Sequence, residues 1–297
     1  MNWKPNSKII VQGITNNLGS YYTTRMKAYG TNIVAGICPG KGGQHLFDIP
    51  IFDLVEEAIE KVGEVETTII FVAPERSLDA ALEAIAAGIK QIIIVSAGIP
   101  PLDMVRLLKK ARSTGTLILG CGSSGILIPE KMWLGTIEPH FYTPGKVGLI
   151  SRSHSVCAEV ALALNQAQLG QSIVVTLGKQ RIIGSSFEQW LEILDRDDRT
   201  EIIVAIEHPN GLISPTLADF IAKKIKKPTI AYLAGLEVPI ERNYIDALSI
   251  VTTQVSYSVP AINQEQKTIL ALQNAGVKVA QRPSQIPKLI KNILKKN

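Results

Sequence analysis

The sequence predicts an α/β protein with parallel, doubly wound sheets. Short apolar runs rich in β-branched residues recur along the chain and lack the polar alternation of a half-exposed strand. Helical patterns lie between these runs, and one of them, residues 78–87, stops at Gly88. Regular alternation of strands and helices is typical of parallel sheets covered on both faces. The length of 297 residues suits about two such domains.

The predicted strands form two series separated by a turn. The first series comprises residues 8–12, 32–36, 67–72, 91–95 and 116–120. The second series comprises residues 147–151, 172–177, 201–206, 229–233, 247–251 and 277–280. Between them, Y-T-P-G-K at residues 142–146 has the composition of a turn. We therefore predict a Rossmann-like domain over residues 1–143 and a flavodoxin-like domain over residues 144–297.

Composition narrows the class of protein. Hydrophobic residues make up 46% of the chain and charged residues 19%, which is typical of a globular protein with a large core. No run of eighteen apolar residues occurs, and the basic C-terminal ten residues contain no aromatic side chain. We therefore expect binding to neither membrane nor nucleic acid. The three cysteines have neither metal-site nor disulfide-framework spacing, which favours a reduced, cytoplasmic protein without a bound metal.

Two glycine-rich loops follow the first two predicted strands. The first, G-I-T-N-N-L-G-S at residues 13–20, opens a helix, and the second, residues 35–43, contains Lys41. Glycines at the carboxyl ends of parallel strands let backbone N–H groups approach a phosphate, and a helix N-terminus favours its charge. The spacing is not G-x-G-x-x-G and no acidic residue ends the second strand, which disfavours an NAD-dependent oxidoreductase. Two interpretations remain: a phosphorylated nucleotide other than NAD, or a plain strand–helix turn.

A set of motifs in fixed order carries a family resemblance. They are G-I-T-N-N-L-G-S, G-I-C-P-G-K-G-G, F-V-A-P, L-E-A-I-A-A-G-I, A-G-I-P-P-L-D-M, P-G-K-V-G-L-I-S-R-S and G-S-S-F. Through them the chain resembles the α subunit of succinate–CoA ligase over nearly its whole length. The resemblance implies an N-terminal domain that binds CoA or an acyl-CoA and a C-terminal ligase domain. It also implies a partner, either a β-type ATP-grasp subunit or a second copy of the chain.

The resemblance assigns a set of CoA-binding residues. They are Gly13, Thr15, Asn17, Leu18, Gly19, Pro39, Lys41, Val72, Ala73 and Pro74. At the thioester end of the implied groove, Ala97 replaces a glutamate of the family and Gly122 replaces an asparagine.

The phosphoryl-transfer site departs from the family pattern. There a histidine carries the phosphoryl group and a glutamate orients it, and these positions align here with Ile245 and His208. A shift of one residue would bring Glu207 to the second position instead. Because the reaction needs an imidazole nucleophile, we expect no competent phosphoryl acceptor at residue 245. His154 is a possible substitute, but a histidine at a helix N-terminus cannot travel between two distant sites.

The two phosphate-binding loops implied by the resemblance, residues 151–155 and 178–184, are altered as well. Lys179 and Arg181 place two cations at the second loop, either as part of an anion site or as a solvated surface pair. The predicted anion or phosphate site comprises Ser153, His154, Ser155, Lys179 and Arg181.

The sequence therefore predicts a divergent paralogue of the succinate–CoA ligase α subunit that binds CoA or acyl-CoA but lacks the phosphohistidine step. Its role would be regulatory or structural. The alternative is an active CoA ligase or acyl-CoA transferase subunit that works with a β-type ATP-grasp partner by altered chemistry.

Overall fold

The computed structural model describes residues 6–180, 182–207, 215–234 and 264–295. The first half of the chain forms a seven-stranded sheet in the order β3-β4-β2-β1-β5-β6-β7. Its strands are β1 Ile9–Gln12, β2 Ile33–Ile37, β3 His45–Leu46, β4 Ile49–Phe52, β5 Thr67–Ile70, β6 Gln91–Ile94 and β7 Leu117–Leu119. Its helices are α1 Asn17–Ala28, α2 Val55–Val62, α3 Ser77–Ala86 and α4 Pro101–Thr114.

A second seven-stranded sheet has the order β14-β13-β12-β10-β11-β8-β9. Its strands are β8 Gly125–Ile128, β9 Met132–Gly135, β10 Pro144–Ser151, β11 Gln171–Thr176, β12 Ile202–Glu207, β13 Thr229–Leu233 and β14 Lys278–Ala280. Its helices are α5 His154–Gln166, α6 Phe187–Asp195, α7 Pro215–Lys224, α8 Gln264–Asn274 and α9 Ile286–Leu294. The predicted strand at residues 247–251 lies outside the described residues.

The topology confirms the predicted fold class. In the first sheet all neighbours pair in parallel except the short β3, and without β3 the order is that of a Rossmann fold. In the second sheet β10 to β14 are parallel and have the 2-1-3-4-5 order of a flavodoxin-like fold. All residues of β1, β5, β6 and β12 are buried, which explains why these strands lack polar alternation.

A hairpin formed by β8 and β9 joins the two halves. It precedes the predicted boundary at residue 143, yet β8 pairs antiparallel with β11 and extends the second sheet. Its other contacts are with α1 and the loop that follows: the backbone of Trp133 exchanges two hydrogen bonds with the hydroxyl of Thr31, and the N–H of Gly135 donates to Met26 Sδ. The division of the chain at residues 143 and 144 stays a prediction, but the hairpin before it belongs to both halves.

The largest buried side chains lie in a core that includes both sheets. Trp133 and Trp190 are fully buried, and Trp190 Nε1 donates to Ser185 Oγ at 2.7 Å. Within the described part of the chain, no helix combines the length and apolar character that crossing a bilayer requires.

Candidate functional site

Three loops meet at the carboxyl edge of the first sheet. They follow β1, β2 and β5, which are adjacent strands, so the loops lie side by side. The sheet order reverses between β1 and β5, and ligands of doubly wound sheets bind at such a switch point. All ten predicted CoA-binding residues lie on these loops or in the first turn of α1.

Close packing holds the first loop against α1. Gly13 has φ +79°, a conformation that favours glycine. A Cβ on Gly19 would overlap the carbonyl oxygen of Gly13, so α1 can begin directly beneath the loop only with glycine there. The side chain of Asn16 does not cap α1 and instead donates to the carbonyl of Phe71 at 3.0 Å. The first turn of α1 also contains no acidic residue, so its N-terminus can face an anion.

The second loop presents Lys41 to solvent. The backbone N–H groups of Lys41 and Gly42 donate to Asp53 Oδ1 at 3.0 and 2.9 Å, which fixes the loop and leaves the lysine side chain exposed. Thr15 Oγ1 lies 3.0 Å from Cys38 Sγ and links this loop to the first. The edge therefore combines an open helix N-terminus with an exposed lysine. That combination suits a phosphorylated ligand.

Several of the predicted CoA-binding side chains are exposed along this edge. Asn17, Pro39 and Ala73 are exposed, and Leu18 is 59% exposed despite its apolar side chain. Their roles as CoA contacts stay predictions.

A second feature, here called the interface cavity, lies where the two sheets meet and has a volume of about 310 Å³. The loop after β6 contributes Ala97 to its lining, and the loop between β7 and β8 contributes Gly122 and Ser124. The second sheet contributes Arg152, His154, Thr176, Gly178, Lys179 and Gln180. Arg152 and His154 follow β10, where the order of the second sheet reverses between β10 and β12. The carboxyl edges of both sheets therefore open onto one cavity.

Arg152 fixes the loop after β11. It is only 7% exposed, and its guanidinium donates to the carbonyls of Gly178 at 3.1 Å and Gln180 at 2.5 Å. Its Nε lies 4.0 Å from Oε1 of Glu207, the last residue of β12, which is 1% exposed. Glu207 is therefore a buried carboxylate at the switch point of the second sheet. Its neighbour His208 lies outside the described residues.

His154 begins α5 and lines the cavity. Its Nδ1 is buried and has no hydrogen-bond partner among the described residues. Burial lowers the pKa of its imidazole, Glu138 opposes that shift, and Lys179 reinforces it. Lys179 is exposed and forms no salt bridge with any residue in the described ranges.

The other predicted anion-site residues have different positions. The Ser153 side chain is buried and accepts the N-cap hydrogen bond from the Val156 N–H, so it stabilises α5. Ser155 is exposed and, like Ser153, is not among the residues that line the cavity. Arg181 and Ile245 lie outside the described residues.

Sequence reasoning singled out neither Ser124 nor Thr176 as a site residue, whereas Gln180 lies in the predicted phosphate-binding loop at residues 178–184. Thr176 ends β11, and its carbonyl accepts a hydrogen bond from Ser123 Oγ at 2.5 Å, which ties the β7–β8 loop to the second sheet. The sequence could have indicated Thr176, because it ends the strand β11 next to β10, where the sheet order reverses. The contact between loops of different sheets has no local sequence signature.

The two buried cysteines are not activated as nucleophiles. Burial raises the pKa of the Cys121 thiol and raises that of Cys157 to about 12, so neither is a ready thiolate. No cluster of three or more His, Cys, Asp or Glu side chains within the described ranges could hold a metal ion.

Known proteins resemble this chain over most of its length. A family model for a CoA binding domain matches residues 4–98. The chain is 35% identical over 288 residues to subunit alpha 2 of the ADP-forming succinate–CoA ligase of Archaeoglobus fulgidus, and the match covers 97% of both chains. It is 38% identical over 248 residues to the α subunit of the malate–CoA ligase of Methylorubrum extorquens, covering 82% of this chain and 83% of that one.

A solved structure shares the fold. ATP citrate lyase from Methanothrix soehngenii, in complex with citrate and coenzyme A, matches with a TM-score of 0.82 at 18% identity, over 100% of this chain and 51% of that chain. The present chain thus spans about half the length of that enzyme.

Proposed function

Because the chain belongs to the succinate–CoA ligase α-subunit family, we propose that it binds CoA or an acyl-CoA along the carboxyl edge of its first sheet. We further propose that it lacks the phosphohistidine step and acts as a regulatory or structural partner of a β-type ATP-grasp subunit, or pairs with a second copy of itself.

The arrangement of the three loops carries the proposal of CoA binding. The matched CoA binding domain, residues 4–98, contains all three loops. The α1 N-terminus, with no acidic residue in its first turn, and the exposed Lys41 provide positive charge for the phosphates of CoA. The loops after β6 and β7 continue the same edge as far as the interface cavity.

The proposal of lost phosphoryl transfer depends on Ile245. An alkyl side chain cannot accept a phosphoryl group, and His154 is fixed at the N-terminus of α5 rather than on a loop between sites. Without the acceptor, a partner subunit could still bind the retained scaffold.

Calorimetric titration with CoA, with NAD as the control ligand, tests binding directly. We expect saturable CoA binding with a Kd in the micromolar range, about −8 kcal/mol, and no binding of NAD. Lys41→Gln should weaken CoA binding, whereas Lys131→Gln, an exposed lysine on the β8–β9 turn, should not. Equal affinities for the wild type and both variants would remove Lys41 from the proposed groove.

Cys38 provides an independent probe of the same groove. It is partly exposed and adjoins Thr15, whereas Cys121 and Cys157 are buried. We expect alkylation of Cys38 by iodoacetamide, measured by peptide mass spectrometry, to slow when CoA is bound. An unchanged rate at a saturating CoA concentration would contradict binding across these loops.

An active ligase is the second candidate function. The identities of 35% and 38% to subunits named as CoA ligases favour it, as does the buried carboxylate of Glu207. A coupled assay of ADP formation with a co-purified β-type subunit separates the two candidates. We expect no CoA-dependent turnover; turnover that Lys41→Gln abolishes would refute the non-catalytic role.

A further inference from the structure

We propose that Asp53 is a positioning residue for CoA: its carboxylate holds the loop that presents Lys41 to the ligand, and it does so through hydrogen bonds rather than through its charge. Asp53 follows β4 and lies outside the three loops described above. The inference rests on the proposed CoA binding and adds to it a residue that does not contact the ligand.

One carboxylate oxygen binds the backbone of the Lys41 loop. The N–H groups of Lys41 and Gly42 both donate to Oδ1 of Asp53, at 3.0 and 2.9 Å. Gly42 also packs directly on the carboxylate, because a Cβ built on it would lie 2.6 Å from Asp53 Oδ2. The glycine that follows Lys41 therefore lets the loop approach Asp53 closely enough to form both hydrogen bonds.

The loop needs such a constraint because two glycines flank the bound segment. Gly40 and Gly43 have φ +80° and +81°, and a Cβ on either would meet no atom within 4 Å. Glycine loses more conformational freedom on folding than any other residue. Backbone hydrogen bonds hold the two ends of the loop, and the Asp53 carboxylate holds its middle, where Lys41 lies.

Other carboxylates serve the N-terminus of α2, although an aspartate before a helix is often its cap. Glu57 Oε2 accepts hydrogen bonds from the backbone N–H groups of Asp53 at 3.2 Å and Leu54 at 3.4 Å. Glu83 Oε1 accepts one from the N–H of Val55 at 2.7 Å. Because these donors have their own acceptors, the contact of Asp53 with the loop is not a by-product of helix capping.

The charge of Asp53 and its hydrogen bonds have opposite effects on an anionic ligand. Lys41 is exposed and forms no salt bridge with Asp53 or with any other residue in the part of the chain that the structure describes, so its ammonium group can bind a phosphate. A carboxylate nearby repels the phosphates. Asparagine has no charge but keeps Oδ1 as an acceptor with two lone pairs, and both loop N–H groups bind that one atom. Substitution can therefore separate the two effects.

Calorimetry with CoA on the full chain tests the inference in Asp53→Ala and Asp53→Asn. We expect Asp53→Ala to weaken CoA binding about three- to tenfold, since the loop must then become ordered when the ligand binds. Asp53→Asn should bind CoA at least as tightly as wild type. Glu56→Ala removes an exposed carboxylate from the first turn of α2, so it is the matched control for charge and should not weaken binding.

Two further measurements distinguish positioning from a general loss of structure. The double variant Lys41→Gln/Asp53→Ala should bind CoA as tightly as Lys41→Gln alone, because Asp53 acts through Lys41. Amide hydrogen exchange in the peptide that contains residues 38–44 should be faster in Asp53→Ala than in wild type or Asp53→Asn. Circular dichroism reports whether each variant folds. If Asp53→Ala does not fold, Gly42→Ala, whose Cβ would displace the carboxylate, should show the same loss of affinity.

The outcomes separate this inference from the proposed function. Equal CoA affinities of wild type, Asp53→Ala and Gly42→Ala would refute the positioning role and leave the proposed CoA binding intact. An equal loss in Asp53→Ala and Asp53→Asn would show that the charge is required and would also refute it. Additive losses in the double variant would refute action through Lys41. Failure of the wild type to bind CoA would refute the proposed function, and this inference with it.

Discussion

Substitution of Gly178 by alanine should separate the two loops that form one wall of the interface cavity. Gly178 has φ +95°, and a Cβ built on it would lie 2.2 Å from the carbonyl oxygen of Cys121. Cys121 is on the β7–β8 loop, so this close approach joins the two sheets. An alanine must therefore both adopt a disfavoured backbone conformation and displace the Cys121 carbonyl.

The cost of the backbone conformation and the cost of displacing the Cys121 carbonyl can be measured separately. A left-handed conformation costs a non-glycine residue about 1–2 kcal/mol. Overpacking of a well-packed contact costs about 1–3 kcal/mol more. Gly88 is a matched control, because its φ is +89° and a Cβ there would meet no atom within 4 Å. Gly88→Ala should therefore show the conformational cost alone.

Urea denaturation followed by tryptophan fluorescence provides the measurement, since Trp133 and Trp190 are buried in the core. We expect Gly88→Ala to lower the free energy of unfolding by about 1–2 kcal/mol. Gly178→Ala should lower it by about 2–5 kcal/mol. Equal losses in the two variants would show that the Cys121 carbonyl does not pack on Gly178, and the proposed wall of the cavity would be wrong.

Three further predictions concern hydrogen bonds and protonation. Arg25 binds both carboxylate oxygens of Glu138, at 3.0 and 2.9 Å, and thereby lowers the pKa of Glu138. Glu138→Gln should therefore lower the free energy of unfolding by up to about 1 kcal/mol at neutral pH. In urea unfolding, this difference from wild type should vanish as pH falls through the lowered pKa of Glu138. A difference independent of pH would contradict the ion pair. Trp190→Phe removes the hydrogen bond to Ser185 and should lower the free energy of unfolding by about 1–2 kcal/mol in the same assay. The double variant with Ser185→Ala should recover part of that loss. Additive losses from the two substitutions would contradict the pairing. Because burial lowers the pKa of His154, wild type should lose stability relative to His154→Gln as pH falls below the ordinary imidazole pKa of about 6.5, and parallel pH profiles would refute this.

Local patterns predicted the strands well because most of them are buried on both faces. The run Q-I-I-I at β6, for example, has no polar alternation, and all four of its residues are buried. The loops at the carboxyl edge of the first sheet were predictable for a similar reason, since glycine spacing after a strand reflects a local backbone requirement at Gly13 and Gly19.

The parts that were not predicted depend on contacts between distant segments. The β8–β9 hairpin turns at Glu130, which has φ +61°, a conformation that glutamate rarely adopts. Because neither glycine nor asparagine occupies this turn, the local sequence does not show the usual hairpin signal. The hairpin pairs with β11 of the second sheet, and the local sequence does not specify which of the two sheets it joins. The interface cavity likewise combines residues separated by up to 83 positions, from Ala97 to Gln180.

The β8–β9 hairpin constrains how the protein can be divided. A fragment that ends at residue 143 would carry β8 and β9 away from the second sheet, and one that starts at residue 144 would leave the edge of β11 without its antiparallel neighbour. An unpaired edge strand readily binds the edges of other chains, so the second fragment would aggregate. A cut before residue 123 would keep the hairpin with its sheet but remove the hydroxyl of Thr31 from the Trp133 backbone. We therefore expect each isolated half to lose contacts of the intact protein, so ligand-binding experiments belong on the full chain.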